Sequence, residues 1–265
     1  VSSGIERIAG AFAGVRDGGR RAALMPYLMG GFPDLATSRA IGEAYADGGA
    51  DIVELGVPFS DPLADGPVVH AAGTAALAAG ASLAGVLDVA AALSSRLPVV
   101  VMCYANIVLA RGVEPFAAAL AAAGVSGLIV PDLPLEEAPA VLAACDGAGV
   151  ALVPLVAPTT PTERLARIGA RARGFVYTVS VTGTTGERAA GGDRFEAAVG
   201  RARAATSVPV ALGFGISTPE QAAAAAAAGA DGVIVGSRLV REAQQAADPP
   251  VAVRALVEQL AGALR

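Results

Sequence analysis

Eight short apolar runs rich in β-formers alternate with stretches of helical length along the 265 residues, and this alternation restricts the fold more than anything else in the chain. The expected strands are Ala23–Met29, Asp51–Val57, Val99–Tyr104, Gly127–Val130, Val150–Leu155, Phe175–Ser180, Val208–Gly213 and Gly232–Val235. Between them lie amphipathic or Ala-rich segments such as Leu35–Asp47, Pro115–Ala123, Leu135–Gly147 and Pro219–Gly229. Thr218-Pro219-Glu220 supplies an N-cap, a first-turn proline and a first-turn acid, while Gly149 and Gly229 suit helix ends. Eight such units in roughly 250 residues predict an α/β fold of the (β/α)8 TIM-barrel type. An open doubly wound sheet is the alternative, but no G-x-G-x-x-G opens the first helix. Ile5–Val15 predicts an extra N-terminal helix over the barrel bottom. No linker or low-complexity stretch divides residues 1–265, which read as a single domain.

Composition excludes several classes of function. Nineteen basic and 24 acidic residues leave a net charge of −5 with no basic run, so there is no electrostatic footprint for nucleic acid. Aromatics are only 4% and Trp is absent, which removes stacking platforms for single strands. All 19 basic residues are Arg. Without a lysine the chain cannot form a Schiff base with a substrate or hold pyridoxal phosphate covalently. His70 is the only histidine, which argues against a histidine-rich metal site and predicts metal-free chemistry. No G-x-S-x-G elbow accompanies it, and it reads as a partly exposed helix residue. Cys103 and Cys145 sit in apolar surroundings and read as free thiols of a reducing compartment. The N-terminal stretch lacks the pattern of a signal peptide, and the apolar runs are too short to cross a bilayer, so a soluble cytoplasmic protein is expected.

The chemistry concentrates between Asp51 and Pro67, DIVELGVPFSDPLADGP. Alternation puts Val53, Leu55 and Val57 on one face of a strand, and Ile52, Glu54 and Gly56 on the other. If the first face packs on helices, Glu54 points into the barrel. An unpaired buried carboxylate costs several kcal/mol on rough estimates, so it is either paired structurally or functional. Asp61 and Asp65 follow in a proline-rich loop. Asp65-Gly66 alone reads as a turn. A second constellation is glycine-rich: Gly213-Phe214-Gly215-Ile216-Ser217 after the seventh strand and Val235-Gly236-Ser237 after the eighth. Barrels often bind phosphate there, through backbone N–H groups at a short helix N-terminus. Thr182-Gly183-Thr184-Thr185-Gly186 adds hydroxyls after the sixth strand.

ELGVPFSDPLADGP resembles the signature segment of the tryptophan synthase α-subunit family. PYLMGGFPD, YANIV, VPDLPLEE, VSVTGTTGER, GFGIS and VGS extend the resemblance over nearly the whole chain. Phe32, where some members carry Asp, and Thr184, where Val is common, are small departures. The resemblance implies retro-aldol cleavage of indole-3-glycerol phosphate, with Glu54 and Asp65 as the catalytic pair. It further implies that Gly186, Gly215, Gly236 and Ser237 contact the phosphate, with Thr185 a further substrate-binding residue. Tyr177 would lie beside Glu54, with Tyr104, Ile129 and Phe214 forming an apolar wall around indole. No cofactor is implied for this chain; pyridoxal phosphate belongs to a partner β subunit, expected in an α2β2 complex. Asp61 is the expected partner contact, although it could simply cap its own loop. A different metal-free phosphosugar barrel and a non-catalytic activating subunit remain as alternatives, and the intact Glu54/Asp65 segment speaks against both.

Overall fold

The computed structural model describes residues 2–179 and 192–265. Nine strands occur among them: β1 (Ala23–Met29), β2 (Val53–Gly56), β3 (Val99–Met102), β4 (Gly127–Ile129), β5 (Ala151–Leu152), β6 (Leu155–Val156), β7 (Val176–Val179), β8 (Val210–Gly213) and β9 (Gly232–Val235). They form one parallel sheet in the order β5-β4-β3-β2-β1-β9-β8-β7-β6. The two ends of that order, β5 and β6, are consecutive pieces of one extended stretch, so the sheet closes into a barrel of eight units. The expected continuous strand Val150–Leu155 is therefore broken in two. Pro154 lies in the gap and has no N–H to give to the ladder. Its carbonyl still accepts from Tyr177 N–H at 3.0 Å, while Val153 N–H reaches the Leu128 carbonyl at 2.9 Å.

Alternation along the strands separates two cores. Leu24, Leu28, Val53, Leu55, Val99, Val101, Leu128, Val176, Val210, Leu212 and Val233 face outward against the helices. Ala23, Met25, Ile52, Val100, Ile129, Ala151, Phe175 and Ala211 fill the barrel interior. The helical shell comprises α2 (Leu35–Asp47), α3 (Pro67–Ala78), α4 (Leu83–Ser94), α5 (Ala105–Arg111), α6 (Val113–Ala122), α7 (Ala138–Ala148), α8 (Thr162–Arg171), α9 (Gly192–Arg203), α10 (Pro219–Ala227), α11 (Ser237–Gln245) and α12 (Pro249–Ala263). Thr218 caps α10 in a capping box with Gln221, with Pro219 in the first turn, and Gly149 ends α7 in the left-handed region at φ 71°. Among the described residues, no single helix is long and apolar enough to cross a membrane.

Gly-Ala-Asp precedes both β2 (Gly49-Ala50-Asp51) and β9 (Gly229-Ala230-Asp231), and its carboxylate has a physical role at the barrel bottom. Asp51, which leads into β2, accepts the backbone N–H of Leu24 at 2.8 Å and pairs with Arg20. Asp231, which leads into β9, accepts the N–H of Val210 at 2.9 Å and pairs with Arg203 at 2.7 Å. Each carboxylate thus ties the start of its own strand to a neighbour.

The expected N-terminal helix is present as α1 (Gly4–Asp17), begun by a capping box between Ser3 and Glu6. Its buried face, Ile8, Phe12 and Val15, joins the interior core, and the Phe12 and Phe175 rings meet at 6.0 Å. The Arg7 guanidinium donates to the carbonyls of Gly124 at 3.0 Å, Leu97 at 3.1 Å and Ser94. The bottom of the barrel is therefore plugged, and ligands have the strand C-terminal ends to approach.

Candidate active site

At those ends a cavity is lined by Tyr27, Glu54, Ala64, Asp65, Val69, Met102, Pro131, Leu155, Tyr177, Phe214, Ile234, Gly236 and Ser237. Glu54 lies on its floor because β2 points Val53 and Leu55 to the helices and Glu54 inward. Its side chain is buried, at 3% exposure for the residue. Burial, and next the neighbouring Asp65 charge, push its carboxyl up to about 8. It is thus protonated at neutral pH.

Two tyrosines lean over glycines on adjoining strands and bring their phenols to this floor. Tyr27 stands in register with Glu54 across β1 and β2. A Cβ on Gly56 would fall 2.1 Å from the Tyr27 hydroxyl, so only glycine leaves room for that ring. On the other side, a Cβ on Gly213 would fall 2.4 Å from the Tyr177 hydroxyl. Burial first, then the nearby carboxylates, raises both phenols well above their ordinary range, so both stay protonated.

Asp65 is half-buried in the loop between β2 and α3, and burial moves its carboxyl upward. A hydrogen bond from the Tyr104 hydroxyl (3.1 Å) and the charge of His70 oppose that shift. The same hydroxyl accepts the backbone N–H of Ala64 at 3.0 Å, and the Tyr104 ring stacks on Phe59 at 5.3 Å. Across the cavity, Phe214 meets Tyr177 edge-on at 6.1 Å. Phe214 and Gly215 both have positive φ, 66° and 84°. A bulky residue held in that region costs on the order of 1–3 kcal/mol, and such strain collects at functional sites. The next wall is Gly236, which caps the N-terminus of α11, with Ser237 as its first residue.

A model of the tryptophan synthase alpha chain family matches residues 12–264. The chain belongs to this family. It is 50% identical over 237 residues to the tryptophan synthase alpha chain of Prochlorococcus marinus, covering 89% of this chain and 86% of that one. The alpha chain of Geobacter sulfurreducens is 46% identical over 239 residues, covering 89% and 90%. Among solved structures, tryptophan synthase of Mycobacterium tuberculosis superposes with a TM-score of 0.91 at 41% identity, covering 100% of this chain and 99% of that one. The alpha subunit from Legionella pneumophila gives 0.89 at 34% identity, covering 97% and 98%.

Of the residues expected at a tryptophan synthase alpha site, the cavity brings together Glu54, Asp65, Tyr177, Phe214, Gly236 and Ser237. Tyr104 stands behind Asp65 and touches it through the hydroxyl rather than lining the cavity. Gly215 adjoins the wall at Phe214, and Ile129 packs in the interior core with Val100 and Ile234. Asp61 is exposed in the same loop as Asp65, hydrogen-bonded by the Ser60 hydroxyl. Thr185 and Gly186 lie outside the described residues. Sequence reasoning missed Tyr27, Met102 and Leu155 as lining residues. For Tyr27 a signal existed: alternation from Ala23 puts Ala23, Met25, Tyr27 and Met29 on the inward face.

Proposed function

We propose that Glu54 and Asp65 carry the acid–base work of the family's lyase reaction, the cleavage of indole-3-glycerol phosphate to indole and glyceraldehyde 3-phosphate. The observation that supports this most is the Glu54 carboxyl, buried at the strand end with its pKa pushed up to about 8. It enters the reaction with a proton. That proton goes to C3 of the indole ring, and positive charge spreads to the ring nitrogen, whose N–H faces Asp65. Glu54, now ionised, takes the proton of the side-chain hydroxyl. The C–C electron pair returns to the ring, neutral indole leaves, and the aldehyde forms. Glu54 regains its proton over the cycle, and Asp65, in its ionised form, steadies the ring cation without exchanging a proton with the substrate.

The cavity, about 60 Å³, is walled mainly by apolar and aromatic side chains, which suits a planar bicyclic ring. The phosphate takes the end where α11 begins, with Gly215, Gly236 and Ser237 around it and Gly186 as a further contact. First-turn N–H groups and the helix dipole favour an anion there. A Cβ on Gly236 would meet nothing nearer than the Tyr27 side chain at 3.7 Å, so the fold accepts a side chain that intrudes on the ligand. Gly236→Val is therefore expected to fold normally and to weaken binding of glycerol phosphate and of the substrate alike. Calorimetric titration that returns an unchanged dissociation constant would move the phosphate elsewhere.

The alpha chain is the subunit of tryptophan synthase without pyridoxal phosphate, and a beta subunit is its partner. The absence of lysine in this chain suits that division. Asp61, charged and exposed beside the catalytic loop, is the proposed contact, within an α2β2 assembly. Asp61→Ala should lower partner-stimulated turnover far more than the basal rate; equal losses would reduce Asp61 to a loop residue. The assignment as a whole is tested by indole release from indole-3-glycerol phosphate. Silence from the chain both alone and with a beta subunit would reject it.

A further inference from the structure

Three successive loops at the barrel mouth are stitched together by two side chains. Asp132, after β4, accepts the backbone N–H of Ala105 at 2.8 Å and so fixes the start of α5. Tyr104, the residue before α5, then reaches the loop after β2. Its hydroxyl takes the Ala64 N–H (3.0 Å) and contacts Asp65 Oδ1 at 3.1 Å. A phenol has one proton. The Ala64 N–H can only donate, so the phenol proton is left for the carboxylate, and the direction of the second bond is determined. Tyr104 is 3% exposed, so water has little access to replace it.

We propose that Tyr104 is a positioning residue for the lyase reaction: its phenol holds Asp65 by Oδ1, favours the ionised carboxylate, and leaves Oδ2 as the oxygen that receives the indole N–H. The proposal rests on the catalytic reading of Asp65. A donor aimed at one oxygen removes the carboxylate's freedom to rotate and sets which lone pairs face the substrate. The same bond works against the burial that pushes Asp65 toward its neutral form. Asp65 is faced by Glu54 from β2, Tyr27 from β1, Tyr104 from the end of β3 and His70 from α3.

The test is Tyr104→Phe, which keeps the ring and its stacking on Phe59. Loss of a hydrogen bond to a charged group predicts a fall in kcat of roughly 10- to 100-fold, with KM changed by less than about threefold. The acid limb of the kcat/KM profile should move to higher pH, because Asp65 loses the donor that favours its ionised form. Measuring it in a His70→Gln background removes the imidazole whose charge also acts on Asp65. Phe59→Leu, which loosens the loop but keeps the hydroxyl, should leave the limb in place. In an Asp65→Asn background, Tyr104→Phe should cost less than about threefold, since the charge it serves is gone. An unmoved acid limb, or the same loss with and without the Asp65 charge, overturns the positioning role while leaving Asp65 catalytic. A near-normal Asp65→Asn enzyme overturns both readings.

Discussion

Glu54→Gln should abolish indole production while making the barrel more resistant to unfolding in alkaline solution. The loss of turnover follows from removing the carboxyl that carries the proton on the cavity floor, and general acid–base catalysis contributes roughly 10²–10⁴-fold. The gain in stability follows from linkage. In the folded chain Glu54 keeps its proton up to about 8, against 4.5 for the free side chain. Between those values the folded state binds a proton that the unfolded state has released, so stability falls as pH rises through the window. Glutamine does not titrate and lacks this slope. Urea unfolding of both proteins at pH 5 and pH 9 checks the point. The wild type should lose more stability than the variant between the two, by an amount of order a few kcal/mol. Parallel losses would mean that Glu54 is ionised in the folded protein, and near-normal turnover by a folded variant would remove it from the mechanism.

Asp65→Asn should be nearly as severe in activity and nearly silent in stability. The amide has the shape of the carboxylate and can still accept from Tyr104, so the loop between β2 and α3 keeps its anchor. What disappears is the charge opposite the developing ring cation. Losing a preorganised electrostatic contact of this kind costs on the order of 10²–10³ in kcat. The acid limb of the pH profile should vanish with it, leaving only the alkaline fall set by Glu54. A loss smaller than about tenfold, with the acid limb intact, would return Asp65 to the role of a turn residue.

Much of this architecture could be read from residue order because the signals were local. The strands Ala23–Met29 and Gly232–Val235 and the helix Leu35–Asp47 have the expected ends. For the helix, Asp34 accepts the Thr37 N–H, and Gly48 closes the other end. Glu54 was legible for the same reason: alternation over five residues determined its face. The break in the fifth strand was also written in the chain, as Pro154, but an apolar run on both sides masked it. What could not be read are relations across strands and loops. Tyr27 belongs to the site only because β1 and β2 pair in the register Tyr27↔Glu54. Tyr104 entered as an apolar wall only through the family resemblance, and residue order says nothing of where its hydroxyl goes. The positive φ of Phe214 is invisible between two glycines that would draw any such expectation to themselves.

The plug helix α1 sets an order on assembly. It precedes every strand, yet its seat is spread over most of the chain. Arg7 needs the carbonyls of Ser94, Leu97 and Gly124, and Gly4 N–H needs the Gly149 carbonyl at 2.8 Å. Phe12 packs on Phe175 and comes close to Gly232 on the last strand. The complete seat of this amphipathic helix therefore exists only once β9 has followed it in the chain. Until then Ile8, Phe12 and Val15 lack part of their packing partners, so the base of the barrel is closed by a helix whose contacts all lie later in the sequence.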